Sequence, residues 1–249
     1  MRNLLVTMRY DGTAYHGWQV QENAVTVQQT FQDALETIFG ARLPVTGCSR
    51  TDAGVHAKMY CCNFRTESSI SCDKLPLALN ANLPDDIGVY ACREVPPDFH
   101  ARYSCAAKRY RYLLHNSPYR NPFAVGRATV YRAPLDEAFL HEQAQSFLGT
   151  HDFASFAAAG GSVEDTVRTV QDARVYRTGD TVIFEVQADG FLYNMVRIMV
   201  GTLLGISEGK IEAGSIPQIL RACDRGRAGI TVPPQGLYLQ KVFYTLDVE

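Results

Sequence analysis

The chain has 249 residues, 46% hydrophobic and 20% charged, with 19 glycines and 11 prolines. This is the composition of an ordinary globular protein, long enough to bury a sizeable core without disulfide or metal staples, and it excludes disordered, fibrous and low-complexity classes. With 24 Lys and Arg against 26 Asp and Glu the net charge is −2, so any attraction to a polyanion has to come from a local patch.

Leu4, Val6, Met8 and Tyr10 alternate with Leu5, Thr7 and Arg9, the period-2 signature of a strand, and Asp11-Gly12 closes it with a turn. Thr26 to Gln29 fits a capping box. Val27, Phe31, Ala34, Leu35 and Ile38 follow at helical spacing, and Gly40 stands where a left-handed C-terminal cap belongs. Tyr60, Cys62 and Phe64 suggest a strand, 73–81 a short helix, and 87–95 another strand stopped by Pro96-Pro97. That order reads β, α, β, β, α, β. A second pass gives a strand over 108–115 and an amphipathic helix over 136–148 with Gly149 as its stop. Strands over 167–177 and 181–188 then flank Thr178-Gly179-Asp180 as a hairpin, followed by helices over 194–208 and 215–224 and a strand over 237–246.

The pattern predicts an α+β protein of two ferredoxin-like (RRM-like) βαββαβ halves, residues 1–104 and 105–249. Together they would form an extended antiparallel sheet with helices on one face and a wide open face opposite. Such folds host many chemistries, so function has to be argued from residues.

Seven cysteines, Cys48, Cys61, Cys62, Cys72, Cys92, Cys105 and Cys223, show no CxxC pair and no zinc spacing, and read as reduced, mostly buried thiols. His16, His56, His100, His115, His141 and His151 show no HxxxH spacing and read as surface or hydrogen-bonded residues, so no metal site is expected. The N-terminal apolar run is too short for a signal peptide, and the longest apolar stretch, over 195–206, is broken by Arg197. A soluble cytosolic protein is the expectation.

Three features carry chemistry. Residues 47–57, Gly-Cys-Ser-Arg-Thr-Asp-Ala-Gly-Val-His-Ala, form a polar stretch between two strand candidates, where a short connection would suffice. Within it Asp52 precedes Gly54, which permits a tight or left-handed backbone and suits a carboxylate held out for use, though a plain Asx-turn also fits. Arg197 is a lone cation among Met195, Val196, Ile198, Met199, Val200, Leu203 and Leu204. It has to snorkel to water or meet an anion, and Asp52 is an attractive partner. The strand Ala107-Lys108-Arg109-Tyr110-Arg111-Tyr112 puts Lys108, Tyr110 and Tyr112 on one face and Arg109 and Arg111 on the other. Cations neutralise phosphate and a Tyr ring stacks on an unpaired base; a solvated edge strand protected by its charges is the alternative.

That strand lies in a strip from Ala101 to Arg132 that holds seven Lys and Arg and no Asp or Glu, leaving 17 cations against 26 acids elsewhere. Aspartic proteases and most glycosidases need two cooperating carboxylates, and the Asp52 motif has no second copy.

Taken together, these stretches resemble the TruA family of tRNA pseudouridine synthases over nearly the whole chain. Tyr10-Asp11-Gly12-Thr13 with Gly17-Trp18-Gln19 is similar to the family's opening motif, and residues 50–57 to its active-site loop. Lys108-Arg109-Tyr110-Arg111-Tyr112 matches its second strand motif, and residues 191–197, Phe-Leu-Tyr-Asn-Met-Val-Arg, a third active-site segment. One departure is Val20, where some relatives carry a basic residue.

The resemblance implies isomerisation of uridine to pseudouridine at tRNA positions 38, 39 and 40, by a homodimer that needs no metal or organic cofactor. In it Asp52 is the catalytic carboxylate, attacking uracil or ribose or removing a sugar proton. Arg197 pairs with Asp52, Arg50 holds the flipped nucleotide's phosphate or takes its place, and Tyr110 stacks on the uracil. Lys108, Arg109 and Arg111 join the strip that tracks RNA backbone. A noncatalytic RNA-binding protein using the same sheet and strip is the rival reading.

Overall fold

A computed structural model describes residues 1–161 and 163–245 of the chain. In chain order the elements are β1 (Arg2–Tyr10), α1 (Val27–Phe39), β2 (Val45–Gly47), β3 (His56–Thr66), α2 (Leu75–Asn80), β4 (Ile87–Val95) and β5 (Cys105–His115). They continue as β6 (Thr129–Val130), α3 (Glu137–Ala144), β7 (Gly149–Asp152), β8 (Val167–Thr178), β9 (Thr181–Ala188), α4 (Met195–Ser207), α5 (Ile216–Ala222) and β10 (Leu237–Tyr244). The α+β class and the largely antiparallel sheet are those the sequence predicts. The expected strand over 237–246 is present through Tyr244, and position 246 lies outside the described residues.

The chain divides into two compact units, one of Met1–Ala106 with the chain from Tyr238 onward, the other of Ala107–Leu237. In the first, the strands run β4-β1-β3, with β2 on the free edge of β3 at Phe64, Asn63 and Cys62 and β10 parallel to the same edge at His56 and Ala57. Neighbours among β1 to β4 are antiparallel, because each helix returns the chain past a strand that fills the gap between.

Leu4 and its partner Phe64 lie on the face toward α1, whose Phe39 ring sits 5.9 Å from that of Phe64. Thr26 caps α1 through Gln29 N–H, and Gly40 ends it at φ 70°.

The opposite face of β1 departs from expectation, because at this end of the sheet it is covered rather than open. Asn3, Leu5 and Thr7 are buried. Asn3 Nδ2 donates to the carbonyls of Pro96 and Phe99, and Asn63 Oδ1 accepts from Ala101 N–H. The segment after β4 therefore folds back over the strands, held by Asn side chains that satisfy its backbone groups.

In the second unit the order is β5-β9-β8-β7, all antiparallel, with β6 parallel to β5. β8 and β9 form the predicted hairpin, Gly179 supplying φ 54° at the first position of a two-residue turn. Val182, Phe184, Val186 and Ala188 of β9 and most of α4 are buried.

Of the cysteines, all seven are free thiols. Cys48, Cys61 and Cys62 are buried, three are half-buried and Cys223 is exposed, so burial is less general than the sequence suggested. Among the described residues no helix is long and apolar enough to cross a membrane.

Candidate active site

The Asp52 loop is assembled from two sequence-distant stretches that lock together. Val55 N–H donates to Asp52 O at 3.1 Å, and Gly54 takes φ 75°, the positive angle that the third position of such a turn demands. Asp52 is thereby presented half-buried at the turn's start, with Arg50 exposed two residues earlier.

The 12–18 segment braces this turn. Trp18 N–H donates to Thr51 O, and Gly54 N–H to Tyr15 O, both at 3.1 Å. Gly17 sits at φ 85°, where a Cβ would lie 2.3 Å from Thr51 O. A Cβ on Gly12 would lie 2.0 Å from Val55 O. Both positions are glycine because the two backbones touch.

Side chains complete the brace. Tyr10 OH and Thr51 Oγ1 are hydrogen-bonded at 2.9 Å in a buried position. Tyr60 OH donates to Ser49 O at 2.5 Å while its ring stacks on Trp18 at 4.1 Å. His56 is 2% exposed and stacks on Tyr238. Its Nδ1 lies 3.0 Å from Gly12 N and 3.1 Å from Asp11 Oδ1. The two contacts need opposite proton states of that nitrogen: bare, it accepts from Gly12; protonated, it donates to Asp11. Asp11 Oδ1 also accepts from Thr13 N–H at 3.0 Å, fixing the turn after β1.

In the second unit β5 holds the other predicted residues. Its alternation is as expected for Tyr110 and Tyr112, both buried, and for Arg109 and Arg111, which share the other face half-exposed. Tyr110 is 5% exposed, and its ring meets Phe191 edge-on at 5.0 Å. Lys108 is half-buried. Arg109 donates twice to Gln187 Oε1, at 3.1 and 2.7 Å, and Arg111 pairs with Glu185 on the neighbouring strand. Glu185 is itself only 4% exposed. These two arginines thus double as the counter-charge that lets β9 carry a buried carboxylate.

Tyr112 OH lies 2.7 Å from Pro233 O and 2.6 Å from Thr129 Oγ1. Burial pushes its phenol up to about 12, against smaller downward pulls from Thr129 and the nearby Arg197 charge.

Arg197 lies on α4 as predicted and is half-buried. Its Nε donates to Val232 O at 2.7 Å and its Nη1 to Asn194 Oδ1 at 2.5 Å. Asn194, at φ 60°, makes no side-chain cap to α4 and spends its amide oxygen on the guanidinium instead. The 229–232 segment can approach because a Cβ on Gly201 would lie 1.8 Å from Ile230 O. Thr202 Oγ1 accepts from Gly229 N–H at 2.9 Å, a further tie between this segment and α4.

Of the bracing residues, Tyr10 and Trp18 belong to the opening motif of the family resemblance, whereas nothing in the sequence distinguishes Tyr15 and Tyr60 from aromatic residues of a core. Among the described residues no group of three or more His, Cys, Asp or Glu could hold a metal. The arrangement presents one carboxylate on a rigid turn, while on β5 both tyrosine rings are buried and the half-exposed arginines pair with Gln187 and Glu185.

Residues 6–104 and 143–245 match the family described as tRNA pseudouridine synthase. The chain is 46% identical over 244 residues to tRNA pseudouridine synthase A of Thermoanaerobacter sp. strain X514, covering 98% of this chain and all of the relative. It is 48% identical over 245 residues to the protein of the same name from Ruminiclostridium cellulolyticum, and 48% over 246 to that of Acetivibrio thermocellus, with the same coverage. A chain in the crystal structure of a Cbf5-Nop10-Gar1 complex is similar at a TM-score of 0.39 and 12% identity, over 97% of this chain and 58% of that one, a likeness too slight to bear on the fold.

Proposed function

The chain belongs to the tRNA pseudouridine synthase family, and from that membership we propose that it isomerises uridine to pseudouridine at positions 38, 39 and 40 of the tRNA anticodon stem-loop, with Asp52 as the catalytic nucleophile. The observation that carries the assignment is the turn itself: a half-buried carboxylate on backbone fixed from both sides by Gly17, Gly54 and Tyr10. A group so held loses little freedom when a substrate meets it.

The chemistry requires the N1–C1′ bond to break, the uracil to turn, and C5 to bond to C1′ while its proton leaves and N1 gains one. The carboxylate of Asp52 starts this by attack on uracil or ribose, or by removing a sugar proton to release a glycal. Arg50 holds the phosphate of the flipped nucleotide and Tyr110 stacks on its uracil. Arg197 contributes the cation of the reaction, its plane already oriented by Val232 and Asn194. Lys108, Arg109 and Arg111 track RNA backbone. In the same reading the enzyme is a cytoplasmic homodimer that uses neither metal nor organic cofactor.

The test is tritium release from tRNA labelled at uridine C5, with no metal added, followed by mapping of the product positions. Release with product at 38, 39 and 40 is expected. Tight binding without release from any tRNA would favour a noncatalytic RNA-binding protein.

A further inference from the structure

The loop joining β5 to β6 spends its interior on rigidity and its exterior on aromatics. Its ends are tied: Leu114 and His115 pair with Thr129 and Val130, and Asn116 Nδ2 donates to the carbonyls of Tyr131 and Ala133 at 2.8 and 2.7 Å. Inside, Ser117, Ala124 and Ala128 are buried, His115 Nε2 sits 3.2 Å from Tyr119 O, and Asn121 Oδ1 accepts from Phe123 N–H at 3.0 Å. Gly126 turns the chain at φ 70°. Such a closed, self-packed loop does not expose its side chains through slackness.

Yet Tyr119 is 79% exposed, Phe123 85% and Val125 73%. Three large apolar side chains presented within seven residues on a fixed frame mark a contact surface. Its charge selects the partner. Arg120 and Arg127 are exposed beside the aromatics, and the sequence holds no acid between Asp98 and Asp136. A two-fold contact of this loop with its own copy would set arginine against arginine. An RNA chain instead offers phosphates to the cations and unpaired bases to the rings.

We propose that the 116–128 loop is an RNA-docking element in which Phe123 and Tyr119 stack on unpaired bases of the substrate while Arg120 meets its phosphates. The assignment rests on the reading that the chain acts on tRNA, and it adds residues for which the catalytic reading has no role.

The experiment measures the anisotropy of an end-labelled, unmodified tRNA transcript with uridine at 38, 39 and 40, titrated with the full chain. Phe123→Ala and Tyr119→Ala are each expected to weaken binding about five-fold or more. Arg120→Gln should lower the salt slope of log Kd by about 0.7 to 0.9. Leu77→Ala, an exposed apolar residue on α2, serves as the control and should leave binding unchanged. Sedimentation of the same variants separates the sources. Wild-type affinity in the Phe123 and Tyr119 variants overturns the proposal, and so does a change of oligomeric state with unchanged tRNA affinity, which would assign the loop to contact between copies. Failure of the wild type itself to bind the transcript would instead strike the functional reading beneath it.

Discussion

Gly17 decides whether Asp52 is held in place, because the two backbones meet there with no room for a Cβ. Gly17→Ala combines a positive φ with a backbone collision, and should cost more than about 2 kcal/mol in urea unfolding. Tyr10→Phe is gentler: it removes one buried hydrogen bond to Thr51, about 1 kcal/mol of stability. Turnover should fall about ten-fold or more with KM within two-fold, since the carboxylate loses its aim rather than its substrate. Equal turnover in wild type and Tyr10→Phe would show that the brace is structural only. On β5, Arg109 and Arg111 already pair with Gln187 and Glu185. Lys108→Gln should therefore reduce the salt dependence of tRNA binding more than Arg111→Gln does. The alternation of Arg109 and Arg111 was legible from period 2. Their pairing was not, because which β9 residue faces them depends on a register that spacing alone does not fix.

Elements with complete local signals were read almost to the residue. α1 carries both caps, and 87–95 is bounded by prolines on both sides. At Gly40 a Cβ would touch nothing within 4 Å, so Gly40→Ala isolates the left-handed backbone and should cost about 1 kcal/mol, measured as a lower urea midpoint at unchanged slope. The predicted helix over 136–148 instead stops at Ala144 and tightens into a 3-10 turn. The cause is Gln145, whose Nε2 donates to His141 O and to Ala173 O on β8, drawing the last turn onto the sheet. β7 is not legible in the sequence, because Gly149 reads as a helix stop and Thr150, His151 and Asp152 have no apolar alternation. Its pairing with β8, including the Thr150–Thr169 hydroxyl contact at 2.9 Å, is a tertiary fact.

At the scale of the molecule, the α+β class and a largely antiparallel sheet are legible in the periodicities. The covered face of β1 is not, since Asn3 and Asn63 look like ordinary polar strand positions until the 96–101 segment lies across them. Burial also sets an alkaline limit. Tyr112 and Cys61 are pushed up to about 12 from ordinary values of 10 and 9. The folded state therefore holds protons that the unfolded chain releases first, so this stability is complete below pH about 9 and is lost as pH rises through about 12. Tm should fall across that window, and less steeply in Tyr112→Phe; an equally steep fall would remove Tyr112 from the account. Whether Asp52 is the nucleophile is read from tritium release by wild type and Asp52→Ala on uridine-C5-labelled tRNA at matched tRNA occupancy. Release by wild type alone is expected, with tRNA affinity of the variant within a few-fold. Release by Asp52→Ala near the wild-type rate would contradict that role, and the carboxylate at the heart of the loop would not be the nucleophile.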